Sequence, residues 1–222
     1  DEAAKDINSH SHNMIFGQVS FGVLMTRAAE KFGLKPDACI GHSLGETAGL
    51  FSLRVWNDPE DMLRRMEASD LFTKKLAGEC IAARKAWKLQ DDEKPDWRVA
   101  AVNRSRDFVE SVIKSGAAYE SGKYDKLYLL IVNAPDECVI GGISEQVEEF
   151  IKETGCGAMY LDGVVTVHCS VAKEYEDEYR DLHRFECNPP EDIDFYSCFS
   201  GRKYTPETEA TAGSIVNQAL YG

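Results

Sequence analysis

Apolar residues open the chain's pattern at 13–33, where Met14, Ile15, Phe16, Val19, Phe21, Val23, Leu24 and Met25 fall almost all round a helical wheel. That distribution predicts a buried helix, stopped at Gly33. A short apolar run, Ala38-Cys39-Ile40, predicts a strand, and the chain then turns through 41–45 into a second helical stretch, Glu46–Leu53. Residues 59–76 predict another helix, with Pro59 in its first turn and Asp58 or Asn57 as its cap. From 97 the pattern shifts to strand 97–103, helix 106–115, strands 127–133 and 138–142 joined through Ala134-Pro135-Asp136, helix 145–153 capped by Ser144, and strand 158–161. The order β-α-β-β-α-β is the ferredoxin-like arrangement. Beyond 168 the pattern predicts a helix to about 184, a break at Asn188-Pro189-Pro190, a strand at 195–200 and a helix at 209–220. Stretches 89–96 and 116–126 are polar surface excursions.

The fold class expected is α/β: an α/β-hydrolase-like large subdomain, 1–78 and 164–222, interrupted by a ferredoxin-like α+β subdomain over 79–163. Hydrophobic residues at 43% and charged residues at 28% of 222 positions suit a packed domain. Thirty-eight Asp and Glu against 25 Lys and Arg leave a net charge of −13, which argues against a general nucleic-acid-binding surface. No apolar run reaches the ~18 residues a membrane span needs. The opening dozen residues are polar, unlike a secretory leader. Cys39, Cys80, Cys138, Cys156, Cys169, Cys187 and Cys198 are odd in number and form no Cys-x-x-Cys pair. That spacing suits neither a disulfide framework nor a zinc site, and a cytoplasmic setting is expected.

The sharpest chemical signal is Gly41-His42-Ser43-Leu44-Gly45, a Gly-x-Ser-x-Gly turn between a strand and a helix. Such an elbow forces the serine into a strained conformation with its hydroxyl presented, and glycines leave room for close approach. Ser43 and Leu44 then stand at a helix N-terminus, where the Leu44 amide is placed to stabilise an oxyanion. The plainer alternative is a tight glycine turn with a capping serine. A serine nucleophile needs a base, and five histidines are available: His10, His12, His42, His168 and His183. His42 adjoins the serine and points elsewhere; His10 and His12 lie in a polar segment, and His183 in a charged helix. His168 follows Val164-Val165-Thr166-Val167 and is the best candidate base, although lone histidines are more often structural. Cys169 beside it reads as a packed small residue rather than a nucleophile.

Gly41-His42-Ser43-Leu44-Gly45-Glu46 resembles the nucleophile motif of the acyl-CoA:acyl-carrier-protein transacylases, which include the acyltransferase domains of polyketide and fatty acid synthases. Leu34–Ile40, Val132-Asn133-Ala134-Pro135, Cys138–Gly142 and His168-Cys169 are similar to further pieces of that family. Glu46–Phe51 is most similar to polyunsaturated-fatty-acid synthases and iterative polyketide synthases. The resemblance implies transfer from a CoA or carrier thioester, through acyl-Ser43, to the phosphopantetheine thiol of an acyl carrier protein. In that scheme His168 is the base, Leu44 the oxyanion donor, and His42, Asn133 and Val167 the substrate-binding residues. It implies no bound cofactor or metal, and acyl-CoA, an acyl carrier protein and other domains of a multidomain synthase as partners, with no nucleic acid and no membrane.

Departures from the family matter too. The arginine that pairs with a malonyl carboxylate would fall at about Ala68 or Ser69, while Arg64 and Arg65 lie a helical turn earlier, so a neutral acyl group is expected. Val165-Thr166-Val167-His168 is neither the malonyl nor the methylmalonyl form of the specificity motif. The family's opening strand with a Gly-Gln-Gly loop, and its continuation past this chain's last residue, have no counterpart, so the chain is expected to be a piece of a larger polypeptide. Two other classes stay open. A serine thioesterase or esterase would need an acid such as Asp136 or Asp162, and a non-catalytic docking module would need neither. Residues 54–88 carry eight basic and six acidic side chains and 170–194 three and nine, which points an acidic carrier towards Lys74 and Lys75. Ordinary solvated helix faces give the same counts.

Overall fold

The computed structural model describes residues 11–115, 120–161 and 166–221. Along the chain run α1 (Ser11–Lys31), β1 (Ala38–Ile40), α2 (Leu44–Ser52), α3 (Pro59–Ala68), a π-helical turn (Leu71–Lys75), α4 (Ile81–Ala86), β2 (Trp97–Val102), α5 (Arg106–Ile113), β3 (Leu127–Ala134), β4 (Glu137–Ile143), α6 (Ser144–Thr154), β5 (Ala158–Tyr160), a 3-10 turn (Ser170–Tyr175), α7 (Glu176–Leu182), β6 (Asp194–Ser197), β7 (Arg202–Tyr204) and α8 (Thr208–Tyr221). The chain divides into two units, Asp1–Thr73 with Lys173–Tyr221, and Lys74–Ala172.

In the first unit β1 pairs in parallel with β6, and β6 antiparallel with β7. The parallel pairing sets Cys39 opposite Phe195 and aims the C-terminal end of β1 at residues 41–45. Beside the sheet, Trp56 packs on Phe185 with ring centroids 4.6 Å apart, and Phe51 meets Trp56 edge-on at 5.4 Å. Leu50, Val55, Met66, Val216 and Leu220 complete this core, each almost fully buried; burying one such side chain contributes about 1.5–3 kcal/mol. Two expectations are corrected here. Among the α1 side chains described, Val19 is the buried apolar one, while Phe21, Leu24 and Met25 are 62%, 63% and 52% exposed. The helix presents one face to α2, with Gly22 set close against Ala48, and composition all round a helix does not say how many sides find neighbours. The helix expected over 59–76 ends at Ala68. The Ser69 hydroxyl accepts from the Leu71 N–H at 3.1 Å and donates to Glu178 at 3.0 Å, which turns the backbone extended. The start is as expected: Asp58 accepts from the Asp61 N–H at 2.8 Å, and Pro59 occupies the first turn.

The second unit contains an antiparallel sheet in the order β3-β4-β2-β5. Helix α5 packs on β3 and β4, and α6 on β2 and β4, burying Val102, Val109, Leu127, Ile140, Val147 and Phe150. On β3 Leu127 faces this core with Leu129 partly buried against it, and the β3–β4 pairing shifts register between Leu129 and Ile131. Trp87, Trp97 and Tyr128 form a second apolar stack, with Trp87 Nε1 donating to the Tyr128 hydroxyl at 3.1 Å. Ser144 does not cap α6. Its N–H and hydroxyl both donate to the Asp96 carbonyl, at 2.9 and 3.3 Å, and Ile143 precedes the helix instead. All seven cysteines are free thiols. Among the described residues, no helix is long and apolar enough to cross a membrane, and no cluster of three or more His, Cys, Asp or Glu is arranged to hold a metal ion.

Candidate functional site

The turn from β1 into α2 is built from backbone constraints. Gly41 is buried, and a Cβ there would lie 2.1 Å from the Glu46 amide nitrogen, so no larger residue fits. The Gly45 N–H donates to the His42 carbonyl at 2.9 Å and the Glu46 N–H to the Ser43 carbonyl at 3.1 Å, closing the first turn of α2. Ser43 is left at φ 52°, ψ −127°, well away from the regions an L-residue prefers. Holding a non-glycine residue there costs about 1–3 kcal/mol, which the surroundings must offset. Leu44 is the first residue of α2, where N–H groups have no intrahelical acceptor. The His42 side chain is exposed. The two glycines differ: a Cβ on Gly45 would meet nothing within 4 Å among the described atoms.

Beneath the turn lies a polar network formed by three distant elements. The Ser43 N–H donates to Gln218 Oε1 of α8. Gln218 Nε2 donates to Glu46 Oε2 at 3.0 Å, and the Tyr204 hydroxyl of β7 donates to Glu46 Oε1 at 3.1 Å. Ser214 joins the same carboxylate and pairs with Ser197 at 2.6 Å. Glu46 is 4% exposed. Burial pushes its carboxyl above the ordinary range, against the opposing hydrogen bonds of Ser214, Tyr204 and Gln218. Burial first and the Glu46 charge second push the Tyr204 hydroxyl and the Cys39 and Cys198 thiols up as well. Sequence reasoning found Glu46 only as the end of a motif. It missed Tyr204 and Gln218, which stand 158 and 172 residues further along the chain with no local signal.

His168, Val167 and Asn133 fall in the second unit. His168 adopts φ 62° and is 7% exposed. Two residues before it, the Thr166 N–H and hydroxyl both donate to the Leu76 carbonyl at 2.8 Å, and Val167 and Cys169 are buried on either side. Burial pushes the Cys169 thiol up to about 11, a packed and unreactive sulfur. Asn133 lies at a register shift in the β3–β4 pairing and donates to Glu137 at 2.9 Å. His183, at the end of the charged helix α7, is buried in the first unit. Its ring stacks on Tyr179 at 5.0 Å and its Nδ1–H donates to the Tyr179 carbonyl at 2.8 Å. Burial lowers its pKa to about 4. His10, Asp162 and the Val164-Val165 run lie outside the described residues.

No protein-family model matches the chain. Over 200 residues it is 26% identical to one of the subunits of the polyunsaturated fatty acid synthase of Thraustochytrium sp., a match covering 87% of this chain and 9% of that protein. Among solved structures it is similar to the acyl-carrier-protein S-malonyltransferase of Burkholderia pseudomallei, with a TM-score of 0.71, 21% identity, and coverage of 99% of this chain and 66% of that one. It is also similar to the acyltransferase domain from the second module of the salinomycin polyketide synthase, with a TM-score of 0.69, 18% identity, and coverage of 98% and 46%. The chain therefore has the fold of acyltransferase domains, spans a small part of its curated relative, and spans less than two thirds of either solved chain.

Proposed function

We propose that this chain is an acyltransferase unit that moves an acyl group from a CoA or carrier thioester, through acyl-Ser43, to the phosphopantetheine thiol of an acyl carrier protein. The observation that carries this reading is Ser43 at φ 52°, ψ −127°, between a parallel strand and a helix, with Gly41 allowing the approach. Likeness to acyltransferase domains supports it. The α/β-hydrolase-like subdomain would be 1–78 with 164–222, and the ferredoxin-like one 79–163. The β-α-β-β-α-β order and the β3-β4-β2-β5 sheet support the latter.

In this mechanism His168 takes the hydroxyl proton as Ser43 Oγ attacks the thioester carbonyl. The Leu44 N–H faces the oxyanion. The C–S bond breaks, the leaving thiol takes the proton from His168, and acyl-Ser43 remains. The carrier thiol then gives its proton to His168 and attacks the ester. A new C–S bond forms, and Ser43 leaves with the proton restored. His42, Asn133 and Val167 are assigned to substrate, and no cofactor or metal takes part.

A neutral acyl group is preferred, since the arginine expected by the resemblance is replaced at Ala68 or Ser69 and the two arginines a turn earlier are committed. Arg64 pairs with Asp61. Arg65 holds Asp61 at 2.8 Å and the Arg184 carbonyl at 2.8 Å, and lies 4.4 Å from the Phe185 ring centre. The carrier docks near Lys74 and Lys75, within a cytoplasmic multidomain synthase. Intact-mass analysis with a panel of acyl-CoAs tests the reading: a neutral acyl adduct forms on the wild type and is lost in Ser43→Ala. Rapid release of free acid with no accumulating adduct would instead identify a hydrolase. Charge reversal at both lysines weakens carrier binding, and an unchanged Kd rejects that docking patch.

A further inference from the structure

We propose that Gln218 and Glu46 are positioning residues that lock the Ser43 peptide in its nucleophile geometry, with Glu46 setting which way round the Gln218 amide sits. This rests on Ser43 being the nucleophile of the proposed transfer. A carboxamide has an acceptor end and a donor end. On one side of Gln218 stands the Ser43 N–H, a donor only; on the other stands the Glu46 carboxylate, whose second oxygen is held by Tyr204. One orientation satisfies both neighbours. The reverse sets NH₂ against N–H and oxygen against oxygen. Gln218 is buried, so bulk water does not stand in for it, and a buried hydrogen bond left unmade is costly.

The consequence for catalysis is geometric. A residue at positive φ stays there only while its surroundings hold it, and Gln218 grips Ser43 by its own peptide N–H. The same bond commits that N–H, so the oxyanion relies on the neighbouring Leu44 N–H. The buried carboxylate also has a definite role here. An apolar residue at 46 would remove one of the contacts that fix the orientation of the Gln218 amide.

Three variants of the full chain test this: Gln218→Leu, Gln218→Glu, and the exchange Glu46→Gln/Gln218→Glu. In the exchange, the carboxylate at 218 accepts from both the Ser43 N–H and the amide at 46, whose oxygen accepts from Tyr204. Gln218→Glu alone sets two carboxylates face to face and works only while they share a proton. Two readouts are taken on samples whose circular dichroism shows them folded: exchange protection of the ¹⁵N-labelled Ser43 amide, and the rate of acyl-Ser43 formation by intact mass. Gln218→Leu loses the protection and acylates about ten- to a hundred-fold more slowly. Gln218→Glu loses both progressively as pH rises and the shared proton is given up, and the exchange variant restores both with no such pH dependence. Wild-type protection and rate in folded Gln218→Leu, or the same pH response in Gln218→Glu and the exchange variant, overturn the proposal. A wild type that is never acylated rejects the transfer reading instead, and the amide protection still decides the lock.

Discussion

Ser43 and His168 both hold a positive φ, 52° and 62°, but the two segments are restrained by different means. At Ser43 the restraint is polar and long-range: a peptide N–H on Gln218, which is itself held by a buried carboxylate. Around His168 burial takes a larger share, beside a long-range hydrogen-bonded anchor two residues earlier. Val167 and Cys169 are buried on either side, and Thr166 is fastened twice to one carbonyl. Hydrogen bonds restrain direction, whereas burial restrains volume. The elbow is therefore open to disruption by one wrongly oriented amide. The histidine segment answers to changes of size.

The largest effect that breaks this comparison is chemical. His168→Ala leaves the elbow intact and lowers the rate of acyl-Ser43 formation by about a hundred- to ten-thousand-fold; a rate within a few fold of wild type rejects the histidine as base. Next comes Gly41→Ala. Its added carbon meets the Glu46 backbone rather than a flexible side chain, so unfolding in urea shows a loss of about 3 kcal/mol or more. The smallest sharpens the contrast between buried histidines. His183 has a folded pKa of about 4, below its ordinary 6.5, because burial disfavours the charged form. The stability this confers is fully present above about pH 6.5 and is lost as pH falls towards about 4, by about 2–3 kcal/mol. A His183→Gln variant whose urea midpoint falls as steeply as wild type over that interval shows that another group is responsible.

Glu46 carries the opposite sign. A carboxyl raised by burial favours the folded state most in acid, and that contribution is lost as pH rises through the raised value. Acid therefore relieves the elbow's carboxylate while it charges the unfolded His183 side chain, so the two effects oppose each other on the acid side of neutrality.

The elbow was readable from five adjacent residues because strand, glycine, serine and helix are all local. The β-α-β-β-α-β run was readable as well, since the apolar run Leu127–Asn133 and the turn Ala134-Pro135-Asp136 after it are local signals. What the sequence hid is long-range or brief. Tyr204 lies on β7, three polar residues whose strand character comes from pairing with β6. Gln218 is one amide in a helix that reads as ordinary surface and core. Helix α4 is six residues long, too short for a clear period. Ser69 ends α3 by a side-chain bond to the Leu71 N–H, and the apolar character of α1 did not reveal that Phe21, Leu24 and Met25 would face outward.

That outward face has a practical consequence. Among the described residues the three-stranded sheet ends at β1, whose Ile40 is exposed, on the same unit as the bare aromatic and aliphatic side chains of α1. Strand edges and greasy patches are adhesive. Enzyme assays on this chain belong at dilute protein, with light scattering run alongside, so that clumping is not mistaken for lost turnover.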